Sequence, residues 1–236
     1  MSLIATRRLT RDFGGLRAVD AVDFDLPEGE VRAVIGPNGA GKTTFVGLLC
    51  GRLRPSAGSV LWRGRDVTEL PAHRRVRLGI AYTFQITSVF GNLTLAENVA
   101  LAVQRRAPTD PEGETLLALD RVGLSGRAGE KANAQSYGHQ RLLEIAMGLA
   151  LRPRLLILDE PTQGLAASEI DRFIGLVRDV AAGPTAATVL LIEHNMDVVM
   201  TLAERITVLE LGAVLAEGTP AEIRASRAVQ TAYLGA

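Results

Sequence analysis

The sequence predicts an α/β fold built on a mainly parallel sheet, with an N-terminal antiparallel β part and an inserted helical part. Three observations carry this expectation. Short apolar runs bounded by turn residues recur at positions 31–35, 155–158, 188–192 and 206–209, and longer helical patterns separate them, as in a parallel sheet. The first thirty residues and positions 58–67 show β-prone alternation, with turn signals at Pro27-Glu28-Gly29 and Arg63-Gly64 that suit antiparallel pairing. From Val89 to about Ala150 the pattern is mostly helical.

Taken in order, residues 1–30 feed the small sheet, 31–35 form a core strand, and a glycine-rich loop leads into a helix over 44–50. Cys50, the one cysteine, falls on the apolar side of that helix, where a small core residue fits better than a reactive thiol. The helical stretch is broken at Pro108-Thr109-Asp110-Pro111-Glu112-Gly113, expected to be an exposed loop, and it ends in an amphipathic segment at 142–151. Strands at 155–158, 188–192 and 206–209 follow, and a last helix at 220–234 closes the fold. With 236 residues the chain buries a sizeable core without disulfide or metal. The 26 basic and 26 acidic residues cancel, so the net field gives no reason to expect nucleic acid or an anionic membrane as partner. The N-terminal Met1-Ser2-Leu3-Ile4-Ala5-Thr6-Arg7-Arg8 has its arginines after a very short apolar stretch, the reverse of a secretory signal, and no apolar run reaches spanning length. A cytosolic, reduced protein is expected.

Gly36-Pro37-Asn38-Gly39-Ala40-Gly41-Lys42-Thr43 lies between an apolar run and a helix, the context a phosphate-binding loop requires. Its glycines let the backbone approach phosphate oxygens, while N–H groups and the helix N-terminus face the anion. Lys42 brings a point charge to the β and γ phosphates, and the Thr43 hydroxyl is placed to ligate Mg²⁺. The ATP-binding set is thus Gly36, Asn38, Gly39, Ala40, Gly41, Lys42, Thr43 and Thr44.

The run 155–158 ends in Asp159 and Glu160, which places both carboxylates at the C-terminal edge of a parallel sheet. Asp159 suits support of Mg²⁺, and Glu160 can take a proton from water attacking the γ-phosphate. Gln85 ends another β-like run and can reach the metal or the water with its amide oxygen. His194 follows the strand ending at Ile192, so its imidazole lies at the same edge, within reach of the γ-phosphate. Phe13, before Gly14-Gly15, can stack on a nucleobase or equally serve as a core residue of the small sheet. Ser136-Tyr137-Gly138-His139-Gln140 opens the amphipathic stretch, either as an ordinary helix cap or as a second anion site.

Together these residues resemble the ATP-binding subunit of ABC transporters over nearly the whole chain. In the family's order stand the aromatic Phe13, Walker A at 36–43, Gln85, the signature at 136–140, Walker B at 155–159, Glu160 and the switch His194. The resemblance implies a P-loop NTPase (RecA-like) core within one ABC ATP-binding domain over 1–236. Its antiparallel part lies within 1–30 and 58–70, its helical part over about 89–150, and the ATPase core in the remainder. It also implies ATP and Mg²⁺ as cofactors and a head-to-tail dimer, homodimer or paralogue heterodimer, in which Ser136, Tyr137, Gly138, His139 and Gln140 bind ATP in trans. The expected partners are two transmembrane permease subunits and, indirectly, a solute-binding protein, with the chain peripheral on the cytoplasmic face of the plasma membrane.

Finer features are similar to the subgroup that energises branched-chain amino acid importers. They are Pro71-Ala72-His73-Arg74-Arg75 with Leu78-Gly79-Ile80-Ala81, Leu143-Glu144-Ile145-Ala146, Ile192-Glu193-His194-Asn195-Met196 and the ending Ala232-Tyr233-Leu234-Gly235. Ser88-Val89-Phe90-Gly91-Asn92-Leu93-Thr94 and Met147 are closer to urea-type relatives. Gln135, His139 and Ala166 depart from the family's usual leucine, glutamine and Asp or Asn. Three rivals fare worse. An ATPase acting on DNA or ribosomes needs long coiled coils or a second cassette. A small-molecule kinase leaves the signature and His194 without purpose, and a regulatory subunit with weak ATPase does not need intact Lys42, Asp159 and Glu160.

Overall fold

The β-rich start of the chain folds back on itself, because Gly14-Gly15 is a turn and every second residue from Val22 to Leu26 is apolar. In the computed structural model, which describes residues 2–83, 88–182 and 186–234, β1 (Ser2–Phe13) pairs antiparallel with β2 (Leu16–Pro27) across that turn. Val22, Phe24 and Leu26 point inward from β2 and their neighbours outward, the period of two of a half-buried strand. In β3 (Val31–Ile35) all five residues are buried, as a strand covered on both faces demands. The chain continues through α1 (Lys42–Leu49), β4 (Ala57–Trp62), β5 (Arg65–Asp66), α2 (Ala72–Arg77) and β6 (Ile80–Tyr82). Next come α3 (Leu95–Gln104), α4 (Pro111–Arg121), α5 (Tyr137–Ala150), β7 (Leu155–Asp159), α6 (Ala167–Ala182) and β8 (Thr188–Ile192). The last elements are α7 (Met196–Leu202), β9 (Arg205–Glu210), β10 (Ala213–Gly218), α8 (Pro220–Ala225) and α9 (Arg227–Leu234).

Two sheets result. The antiparallel one has the order β2-β1-β4-β5, and the larger has the order β10-β9-β3-β8-β7-β6, parallel except for its edge strand β10. The mainly parallel α/β architecture expected from the alternation of elements is therefore the observed one. Because β3, β8 and β7 are neighbours, the loops after Ile35, Ile192 and Asp159 emerge side by side at one sheet edge.

Apolar contacts hold both faces of that sheet. On one side Leu156, Leu158, Val189 and Leu191 meet Leu142, Ile145 and Leu149 of α5 and Phe173 and Val177 of α6. On the other, Val34, Ile157 and Leu190 meet Phe45, Leu48 and Leu49 of α1, which in turn carry the antiparallel sheet through Phe24 and Leu26. Phe24 and Phe45 meet edge to face with centroids 5.3 Å apart. The far end of α1 is fixed by Arg75, buried to 1% exposure, which donates to the carbonyls of Leu48 and Leu49 at 2.8 Å each. A cation there satisfies terminal carbonyls and opposes the helix dipole.

Three local expectations are revised. The broken stretch at 108–113 is loop only to Asp110, because Asp110 accepts from Gly113 N–H and Pro111 starts α4. The single closing helix is two, separated at Ser226, whose extended ψ of 114° ends α8. The antiparallel edge strand β10 was not anticipated, since its sequence has little alternation.

Candidate functional site

The loop between β3 and α1 wraps tightly against its neighbours, and two glycines explain how. A Cβ on Gly41, whose φ is +95°, would strike the carbonyl oxygen of Ala18, and one on Gly36 would strike that of Leu209. Side chains there would push the loop off β2 and β9 and spoil the alignment of its N–H groups. Ala40 N–H donates to the Pro37 carbonyl at 3.2 Å, and Gly212 N–H donates to the Ala40 carbonyl at 3.1 Å, so the turn is held from within and from the β9–β10 hairpin. Asn38, Gly39 and Thr43 are exposed, Thr44 is half-buried and Ala40 is buried.

Lys42 is folded back over this loop. The residue is 7% exposed, and its ammonium donates to the carbonyls of Gly36 at 2.7 Å and Pro37 at 3.0 Å. Burial pushes its pKa below the usual lysine value, while Glu160 and Asp159 act in the opposite direction. A cation desolvated in this way gains by exchanging two neutral carbonyls for an anionic phosphate.

Asp159 ends β7 and Glu160 follows it, at the same sheet edge. Asp159 is 1% exposed, and burial is the main cause that raises its pKa, opposed by a hydrogen bond from the Tyr82 hydroxyl to Oδ2 at 2.8 Å. Oδ1 is buried and has no hydrogen-bond partner among the described residues. Glu160 has a φ of +49°, a left-handed backbone conformation that costs a non-glycine residue of order 1–3 kcal/mol. Its N–H is held by the Ile192 carbonyl at 2.8 Å, and its Oε1 meets His194 Nε2 at 2.9 Å. The imidazole is 40% exposed and the carboxylate side chain 15%, so the pair lies at the mouth of the edge, open to a ligand.

Four residues that motif reading assigned no role shape this edge. Glu193, 3% exposed, accepts from Thr162 N–H at 2.9 Å and from the Thr162 hydroxyl with Oε1. With Oε2 it accepts from the N–H groups of His194 at 2.8 Å and Asn195 at 3.0 Å. Arg141, wholly buried, donates to Glu144 at 2.8 Å and to the carbonyl of Asp159. The fourth is Tyr82, the donor to Asp159. A carboxylate directly after an all-apolar strand, as Glu193 is, was the available signal.

The remaining candidates are placed as follows. Phe13 ends β1, is 41% exposed, and has the Arg11 guanidinium 4.4 Å from its ring centroid, so it is not a core residue of the small sheet. Ser136 caps α5 by accepting from His139 N–H at 3.2 Å. Tyr137 is 44% exposed, and Gly138 is buried against Gly164 and Leu165. His139 lies 3.4 Å from Glu169, and Gln140 donates to the Gln135 carbonyl at 3.1 Å. The structure thus brings Lys42, Asp159, Glu160 and His194 to one edge, whereas the described contacts of residues 136–140 run to Gln135, within the first turn of α5 and its cap, and through His139 to Glu169 of α6. Gln85 lies outside the described residues.

The arrangement can hold an anion on a loop of N–H groups, polarise it with a lysine and activate water with a carboxylate. For a divalent cation the donors are few, one hydroxyl and one carboxylate oxygen left without a partner, which suits Mg²⁺, an ion that takes most of its ligands from water and phosphate.

The sequence matches the family model described as ABC transporter over residues 19–163, and that described as branched-chain amino acid ATP-binding cassette transporter over residues 213–236. It is 39% identical over 244 residues to BraF of Pseudomonas aeruginosa, covering 96% of this chain and 95% of that protein. It is 38% identical over 250 residues to LivG of Salmonella typhimurium, covering 99% and 98%. Both are described as high-affinity branched-chain amino acid transport ATP-binding proteins. Among solved structures, MJ1267, an ATP-binding cassette of an ABC transporter, superposes with a TM-score of 0.89 at 26% identity over 99% of both chains. A dimeric cassette, MJ0796 bound to ADP and Pi, shares the fold with a TM-score of 0.84 at 24% identity over 92% of this chain and 98% of that one.

Proposed function

Because the chain belongs to the ABC transporter family, we propose that it is the ATP-binding and hydrolysing subunit of an importer for branched-chain or other amino acids. The observation that carries the catalytic part is the meeting of Lys42, Asp159, Glu160 and His194 at one sheet edge, with Glu160 and His194 2.9 Å apart. The match at 213–236 and the relatives named above support amino acids over the urea-type alternative.

In this reading ATP seats its phosphates on the N–H groups of residues 36–44, and Lys42 leaves the Gly36 and Pro37 carbonyls for the β and γ oxygens. Water attacks the γ-phosphorus as Glu160 takes its proton, the bond to the bridging oxygen breaks, and ADP and phosphate result. His194 holds Glu160 on one side and the γ-phosphate on the other. Thr43, Asp159 and Gln85 would hold Mg²⁺, which supplies charge neutralisation for the phosphate oxygens when bound. Phe13 offers the ring face not covered by Arg11 to the adenine.

ABC ATPase subunits work as dimers with membrane permeases. For this chain the wall of each ATP site is completed by Ser136, Tyr137, Gly138, His139 and Gln140 of a second ATP-binding subunit, and two permease subunits transmit the motion to a solute delivered by a binding protein. The whole chain is one ATP-binding domain with an antiparallel part, a helical part and an ATPase core. Among the described residues no helix is long and apolar enough to cross a membrane, and we place the chain peripherally on the cytoplasmic face. Replacing Glu160 by Gln tests the assignment: turnover is lost while ATP-bound closed dimers accumulate on gel filtration. Turnover equal to that of the unaltered protein would remove Glu160 from the mechanism.

A further inference from the structure

Asp159 is fixed at three of its four polar atoms. Its N–H donates to the Thr83 hydroxyl at 3.3 Å, its carbonyl accepts from Arg141, and Oδ2 accepts from the Tyr82 hydroxyl at 2.8 Å. The fourth, Oδ1, is buried without a hydrogen-bond partner among the described residues. The terminal torsion of an aspartate is broad and roughly two-fold, so little in the side chain itself decides which oxygen takes which partner. A donor on one oxygen decides it, and a buried acceptor left over is costly unless something completes it.

We infer that Tyr82 is a positioning residue for the metal site: its hydroxyl holds Oδ2 so that Oδ1 of Asp159 is presented to Mg²⁺ or to a water of its shell. The inference rests on the reading of Asp159 as a metal-supporting residue. Tyr82 is well suited to the task. Its strand β6 runs parallel to β7 with Tyr82 opposite Ile157, two residues before Asp159, so the phenol reaches along the sheet to the carboxylate. The Arg52 guanidinium lies 5.3 Å from the ring centroid and backs the ring. The phenol is therefore held by strand pairing and by a cation over its face.

The test uses Tyr82→Phe, which removes one oxygen and keeps the ring, in the hydrolysis-impaired Glu160→Gln chain. Mn²⁺ is the probe, its binding to the ATP-loaded protein read by electron paramagnetic resonance, with Asp159→Asn in parallel. Loss of an outer-shell orienter weakens metal binding on the order of 10-fold, so that rise in the Mn²⁺ Kd is expected for Tyr82→Phe, with ATP binding in EDTA unchanged. In the otherwise unaltered protein, raising Mg²⁺ should restore the turnover that Tyr82→Phe loses. An unchanged Mn²⁺ Kd in Tyr82→Phe, with or without a lower melting temperature, overturns the inference if Asp159→Asn weakens binding. If Asp159→Asn leaves the Kd unchanged as well, the metal reading of Asp159 falls and the inference falls with it.

Discussion

Glu193→Gln keeps the shape of a buried side chain and breaks its hydrogen-bond logic, so its effect can be worked from the geometry. Oε1 serves the Thr162 N–H and hydroxyl, and Oε2 serves the N–H groups of His194 and Asn195. An amide has one acceptor oxygen; it best serves the two N–H groups of His194 and Asn195, so its NH₂ faces Thr162, whose hydroxyl can turn to accept while its N–H is left without an acceptor. One hydrogen bond to a charged acceptor, worth about 1.5–3 kcal/mol, is lost, and the other three weaken from charged to neutral by on the order of 0.5–1 kcal/mol each, giving roughly 3–6 kcal/mol gross. The neutral amide costs less to bury than a carboxylate, which returns on the order of 1–2 kcal/mol and leaves about 2–4 kcal/mol net. For a chain of this size each kcal/mol lowers Tm by about 2–4 °C, so melting should fall by roughly 4–16 °C. Turnover should fall too, because the anchor of the His194 backbone weakens while the imidazole must stay 2.9 Å from Glu160. Scanning calorimetry on Glu193→Gln, Thr162→Val and the double variant checks this: residues sharing a bond couple by about 0.5–3 kcal/mol. Melting within 2 °C of the unaltered protein, or strictly additive single and double variants, would refute the reasoning.

Other expectations are more local. Phe13→Ala should leave melting nearly unchanged, because the ring is 41% exposed, and should raise the KM for ATP roughly 5- to 30-fold, since stacking of a base on an aromatic ring is worth about 1–2 kcal/mol. Cys50 is buried and its thiol is pushed up to about 12 by desolvation, so at pH 8 a disulfide reagent should label it only as fast as the protein unfolds. Thr94→Ala removes the hydroxyl half of the capping box at the start of α3 and should cost about 0.5–2 kcal/mol. The box is pH-sensitive with a defined sign. Hydrogen bonds from Thr94 hold the Glu97 carboxyl below its usual range, so its contribution is complete above the unfolded glutamate pKa and is lost as pH falls through the lower folded value. The Thr94 backbone N–H, the main cause, survives in Thr94→Ala, so it is Glu97→Gln, which removes the titrating carboxyl, that should flatten the acid titration of stability.

What the sequence reveals and what it hides follow one physical division. The parallel strands, the phosphate loop and the carboxylates after β7 are legible because each is local: burial on both faces writes a continuous apolar run, and a backbone that must approach an anion writes glycines at fixed offsets. The start of α4 was equally local, an Asp cap followed by Pro at the first helical position, and reading Asp110-Pro111 as part of a loop gave too much weight to proline as a breaker and too little to its fitness at a helix start. Tyr82, Thr162, Glu193 and Arg141 belong to a different class. Tyr82 and Asp159 are 77 residues apart in sequence, and Thr162 and Glu193 are 31 apart. No offset rule connects such pairs, because the sheet order β8-β7-β6 brings them together. Buried polarity is the trace they leave: a Glu after five buried strand residues, or an Arg within an otherwise apolar helix face, must find partners, since leaving them unmade costs more than most single contacts supply. Motif reading thus locates the groups that touch phosphate, whereas the groups that hold them in place are found by asking where each buried charge and each buried N–H is satisfied.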